Sequence, residues 1–185
     1  MRLFIAIQLN PEIRRELSHL KERIKGIEGI RWVKSENIHL TLIFLGEVEE
    51  DRVKAIKRAM REGIKGFLPF SIRPKGLGVF PHPRNVRVIW VGIEPKEKVV
   101  VLQQRLEKEL RKAGFSFEKR RFEPHLTLGR AKRLQNREDF FKIMKEINKI
   151  DLSSSLKVEE IELIQSRLTP QGPIYQTLTR ERLGK

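Results

Sequence analysis

Two copies of one tetrapeptide, His-Leu-Thr-Leu, stand at positions 39–42 and 125–128 of a 185-residue chain that has only four histidines and five threonines. On a strand, side chains alternate faces, so a histidine and a threonine two residues apart share one face, about 7 Å apart along the strand, while both leucines turn to the core. Each copy then offers an imidazole beside a hydroxyl. Two such pairs facing each other across a cleft suit in-line displacement at phosphorus, where one proton leaves the nucleophile and another reaches the leaving oxygen on the opposite side. One histidine serves each end. With an unperturbed pKa near 6.5, one neutral and one protonated ring coexist near neutrality, each contributing about 10²- to 10⁴-fold. The threonine hydroxyls would hold the non-bridging oxygens. Hydroxyls cannot cancel phosphate charge, and Arg130, on the second copy's strand and expected on its histidine face, is the candidate phosphate clamp.

The elements that must position these residues repeat as the motif does. A strand at 3–9 leads through Asn10-Pro11, an N-cap and first-turn proline, into a helix with Ile13, Leu17, Leu20 and Ile24 on one face. Strand 38–45, helix 50–64 and strand 70–79 follow. The second half runs strand 86–93, helix 95–113, strand 125–131, helix 136–149 and strand 156–165. The shift is nearly constant: 125 − 39, 137 − 51 and 158 − 72 all equal 86. That spacing exceeds solenoid periods and has too few copies for an array, which points to a duplicated, pseudo-twofold bilobal domain over 1–185, with repeats at about 1–84 and 85–185. A further strand at 175–179 can complete either sheet. Proline and glycine at 81–83 and 170–173 predict two rigid loops, and 180–185 reads as a loose tail.

Composition narrows the partners. Lys and Arg number 39 against 24 Asp and Glu, a net charge of +15, and the isoelectric point is near 10.4. A domain above about 9 reads as a nucleic-acid footprint, although the same excess could serve an anionic membrane surface; a thermophile-like exterior matches the 34% charged fraction, but such surfaces usually balance their signs. There are no cysteines, which excludes disulfides, thiolate metal sites and cysteine nucleophiles and suits a reducing interior. No apolar run reaches a membrane span or a signal core, so the expected location is the cytoplasm. No phosphate-binding glycine loop or dinucleotide turn occurs, which leaves ATP-driven chemistry unsupported. Neither tetrapeptide brings the extra ligands of a zinc or iron site, and no serine triad is announced. The expectation is therefore no metal and no cofactor.

The paired H-x-T-x signature resembles that of the 2H phosphoesterases. The segments MRLFIAIQLNP (1–11), 31–46 with HLTLIFLG, FEPHLTLGR (122–130) and SRLTPQGPIY (166–175) are most similar to the bacterial and archaeal RNA 2′,3′-cyclic phosphodiesterases, historically called 2′-5′ RNA ligases. The resemblance covers essentially the whole chain. It implies an α+β fold with two antiparallel sheets lining a basic cleft and helices outside. It also implies metal-independent opening of an RNA terminal 2′,3′-cyclic phosphate to a 2′-phosphomonoester, with ATP-independent 2′-5′ joining as a reverse activity. His39 is carried over as proton donor and His125 as proton acceptor, roles that the residues alone leave open. The implied partner is RNA bearing such an end, tRNA fragments included, bound by a monomer.

Other residues fall around this frame. Phe80, Arg84 and Tyr175 lie in or beside the two loops, where an aromatic can stack on a base and an arginine can reach the backbone; core packing accounts equally well for Phe80 and Tyr175. Trp32 and Trp90 read as core. His19 and His82 have no counterpart in the other half and read as non-catalytic. Lys54, Lys57, Arg58 and Arg61 line an outer helix face suited to steering RNA. Two readings compete with the phosphodiesterase: a non-catalytic RNA-binding module, and a cyclic phosphodiesterase for small nucleotides, for which +15 would be superfluous.

Overall fold

The computed structural model describes residues 1–117 and 121–184. Nine strands, four α-helices and two short 3-10 turns follow one another as β1 (Arg2–Gln8), α1 (Pro11–Ile24), β2 (Ile30–Trp32), β3 (His39–Glu47), α2 (Val53–Ile64), β4 (Phe70–His82), β5 (Asn85–Glu94), α3 (Lys96–Lys112), β6 (His125–Ala131), α4 (Arg137–Ile147), β7 (Leu156–Val158), β8 (Glu160–Thr169) and β9 (Gly172–Arg182). The helices begin and bury as their patterns dictate. Asn10 caps α1 by accepting from the Ile13 amide at 3.0 Å, and Ile13, Leu17, Leu20 and Ile24 are buried. α1 packs on α4 and α2 on α3, two pairs that the 86-residue shift exchanges.

The strands are ordered β7-β4-β5-β6-β3-β1-β8-β9, all neighbours antiparallel, with β2 added to β6. The two expected sheets are thus one curled path joined at its middle by a single registered pair, Leu40 to Leu126. The other junction between lobes, β4 with β7, is centred on Ser71 and Lys157. Both central pairs are separated by 86 residues, so the pseudo-twofold axis runs through them. The last strands cross over: β8 pairs with β1, and β4 pairs with β5. Each lobe is therefore assembled from both halves of the sequence.

Three local expectations are corrected. The 156–165 strand breaks at Glu159, because its two parts serve different lobes. The two loops are hairpin turns, with β4 continuing to His82 and β9 starting at Gly172. The tail is not loose as far as Gly184. β9 runs to Arg182 and joins the β1–β3 lobe through β8, Leu183 is buried, and the Leu183 and Gly184 amides donate to Glu159 O and Phe67 O at 2.8 and 2.9 Å. Lys185 lies outside the described residues. Among those described, no helix is long and apolar enough to cross a membrane.

Candidate active site

β3 and β6 bury Leu40, Leu42, Leu126 and Leu128 and leave His39, Thr41, His125 and Thr127 partly accessible on the opposite, concave face. Residues flanking a registered antiparallel pair oppose each other. The Leu40–Leu126 pair therefore sets His39 toward Thr127 and Thr41 toward His125, and the two motifs form one diagonal constellation.

Each imidazole is fixed the same way. His39 Nδ1 lies 2.8 Å from Asn37 O and His125 Nδ1 lies 2.7 Å from Glu123 O, two carbonyls that are themselves 86 residues apart. A carbonyl only accepts, so Nδ1 carries the proton in both rings and Nε2 is left for the cleft. The rings are walled by aromatics. Phe4 stacks on His39 at 4.7 Å and Tyr175 meets it edge-on at 5.3 Å, while Phe80 meets His125 edge-on at 5.0 Å. Trp90, stacked on Phe80 at 4.9 Å, closes the His125 wall. It is half-buried, so it lines the cleft and is not simply core; Trp32 does pack against the core. Gly78 makes the Trp90 placement possible, since any Cβ there would stand 2.2 Å from the indole.

Burial is the main force on both rings. It pushes His39 down to about 4; the Asn37 carbonyl opposes this, and the Arg14 charge adds to it. His125 is also lowered, first by burial, then with Arg130 against the Glu123 carbonyl and charge. Burial raises the Tyr175 hydroxyl, and Arg130 and Arg2 pull it back down. Arg130 thus acts electrostatically on residues of both lobes.

Arg130 reaches this face by an irregular route. The expected face is right but plain alternation is not the reason: Arg130 stands five residues after His125 and three after Thr127, odd steps that regular alternation would send to the core. A bulge corrects the parity: Trp90 pairs with Thr127 and Ile89 with Gly129, so Leu128 and Gly129 both turn inward and Arg130 emerges exposed. β3 has the same bulge at the equivalent place, with Ala6 opposite Thr41 and Ile5 opposite Ile43.

The structure gathers His39, Thr41, His125, Thr127, Arg130, Phe80 and Tyr175 on one face of the curled sheet. Arg84 does not join them. It sits exposed at the β4–β5 turn, where its carbonyl accepts from Arg137 at 3.1 Å. Residues that the pattern did not single out also contribute. Gln8 pairs with His39 across β1–β3 and accepts from Arg14 at 3.0 Å. Glu162, 4% exposed, takes hydrogen bonds from Thr177 and Arg180 at 2.7 Å and from Gln8 at 3.4 Å. Arg31 of β2 lies across from Arg130 with both side chains exposed. No sequence signal marks Arg31, because only the register reveals its neighbour. Among the described residues no three His, Asp or Glu side chains converge as a metal site.

A curled, duplicated α+β sheet with two opposed His-Thr pairs defines a two-histidine phosphoesterase. The chain belongs to the LigT-like phosphoesterase family, whose model matches twice, over residues 7–90 and 91–175. A protein of Methanothermobacter thermautotrophicus named RNA 2′,3′-cyclic phosphodiesterase is 38% identical over 184 residues, 99% of each chain. One of the same name from Thermotoga maritima is 39% identical over 180 residues, 96% of this chain and 93% of the other. Among solved structures, TT0787 of Thermus thermophilus superposes with a TM-score of 0.82 at 27% identity, covering 99% and 98% of the two chains. Escherichia coli LigT complexed with 3′-AMP gives 0.79 at 29% identity, covering 100% and 98%.

Proposed function

We propose that this protein hydrolyses the 2′,3′-cyclic phosphate at an RNA terminus to a 2′-phosphomonoester. The observation that carries this reading is the diagonal placement of His39–Thr41 and His125–Thr127 about the Leu40–Leu126 pair. The names of the two relatives supply the substrate class. In the proposed reaction, His125 Nε2 takes a proton from water as the water oxygen bonds to phosphorus. The bond from phosphorus to the ribose 3′ oxygen breaks, and His39 Nε2 gives that oxygen its proton. Water is consumed and the two rings exchange roles, which the next turnover resets through solvent. Thr41 and Thr127 hold the non-bridging oxygens, and Arg130 stabilises their growing charge.

The depressed His39 is compatible with a donor role. Burial and the Arg14 charge, net of the Asn37 carbonyl, cost its imidazolium about 3 kcal/mol relative to water. A phosphate monoanion about 4 Å away returns roughly 4 kcal/mol at an effective dielectric of 20. Docking of the cyclic phosphate therefore loads the donor with its proton. Phe80 and Tyr175 hold the two rings from either side and border the ribose, and Arg84 is assigned to the more distant RNA backbone. The same groups run backwards give 2′-5′ joining without ATP.

The paired arginines 31 and 130 favour a polyanion over a small cyclic nucleotide. The deciding experiment incubates the protein in EDTA with an oligonucleotide ending in a 2′,3′-cyclic phosphate and identifies the product by mass and phosphatase sensitivity. A 2′-phosphomonoester is expected. Tight RNA binding with no turnover would instead identify a binding module.

A further inference from the structure

The cleft is twofold in its histidines, threonines, carbonyl partners and bulges, yet the position that follows each bulge breaks the symmetry. Residues 44 and 130 are 86 apart, and each emerges on the concave face just after its bulge. One is Phe44 and the other Arg130. Phe44 is 64% exposed, and no other phenylalanine is among the exposed large hydrophobic side chains of the described residues. Its neighbour is Phe4, 6.1 Å away, which in turn stacks on His39. An open aromatic face therefore continues the wall of one catalytic ring, while the equivalent place beside the other ring carries a guanidinium.

We propose that Phe44 is the platform on which the terminal nucleobase of the substrate stacks, and that the Phe44–Arg130 difference fixes the direction in which a nucleotide lies across an otherwise symmetric cleft. This rests on the phosphodiesterase reading for the position of the phosphate. A cyclic phosphate seated between the two histidines leaves its own base on one side or the other. On the Arg130 side a base would displace a cation from phosphate. On the Phe44 side it gains a π-face, and stacking tolerates every base. With the base held there, the two sides of the cyclic phosphate meet different surroundings, which gives chemically different tasks to two nearly equivalent rings.

The test uses two probes that differ only in the base: adenosine 2′-monophosphate and ribose 2-phosphate. Binding is measured by calorimetry to wild type, Phe44→Ala and Phe44→Trp. The exposed ring should tolerate substitution, which an unchanged Tm verifies. Phe44→Ala should weaken the nucleotide at least about fivefold, leave ribose 2-phosphate unchanged, and be rescued by Phe44→Trp. Equal loss for both probes, or no loss for the nucleotide, overturns the proposal. Turnover of the cyclic-phosphate oligonucleotide by wild type is recorded separately. If the nucleotide preference depends on Phe44 but no hydrolysis occurs, the base platform stands and the phosphodiesterase reading fails.

Discussion

Arg31 and Arg130 face each other directly across the β2–β6 ladder, both exposed on the concave side. Like charges in this relation are destabilising, so the pair is maintained against local stability. Arg31→Ala should therefore hold or raise Tm while weakening binding of an oligonucleotide. It should also flatten the slope of log K against log salt by about 0.7, the contribution of one phosphate contact on a single strand. Arg130→Ala should in addition depress kcat, since charge at the reacting centre matters most in the transition state.

Substitution of either histidine by alanine should lower kcat/KM on the order of 10²-fold or more, with RNA affinity largely kept. Single-turnover hydrolysis and filter binding separate the two quantities. Near-wild-type turnover in either variant would remove that ring from proton transfer.

The pH profile should move on substrate binding. In the free protein both rings are held below their ordinary value, His39 at about 4, so the kcat/KM bell should be centred below pH 6.5. In the complex the phosphate charge favours the imidazolium, and the kcat bell should lie at higher pH. Arg14→Met removes a charge that lowers His39 and should shift the kcat/KM bell upward, whereas Arg14→Lys should not.

The same displacement links folding to pH. His39 is near 6.5 when unfolded and about 4 when folded, so between those values the unfolded chain binds more protons. Its contribution to stability is full above pH 6.5 and is lost as pH falls toward 4, by about 3 kcal/mol. Urea unfolding of wild type and His39→Asn at pH 7 and pH 4.5 should show a smaller loss in the variant.

Turnover should survive EDTA and need no ATP, because the charge and the protons are assigned to side chains alone. Loss on chelation with recovery on adding one divalent ion would overturn that assignment.

Much of this arrangement is legible in the residues. The helical face of α1 and the strand His125–Ala131 follow from periodicity, and the 86-residue shift reveals the duplication, whereas its axis at Leu40–Leu126 is given by the register alone. The rest depends on register. Simple alternation misassigns everything beyond Thr41 and Thr127, because a bulge leaves only a pair of adjacent buried residues, Leu42-Ile43 and Leu128-Gly129, as its trace. Phe44 was invisible for that reason. The end of β9 was hidden differently. Its charged Arg180, Glu181 and Arg182 read as tail, yet Arg180 holds buried Glu162, and Leu183 is apolar enough to anchor the strand.

The crossing of β4 and β8 also bears on ancestry. A chain cut between Pro83 and Arg84 yields two fragments, neither with the strands of a whole lobe, and they should stay unfolded apart but recover activity when mixed. A half-length progenitor of this design would need a twin to complete itself, and every mutation in its gene would appear in both lobes at once. Such a progenitor could not hold phenylalanine at one of the two equivalent positions and arginine at the other. With both repeats in one chain, a codon change at position 44 or 130 leaves the equivalent position untouched, and the cleft can hold Phe44 in one lobe and Arg130 in the other.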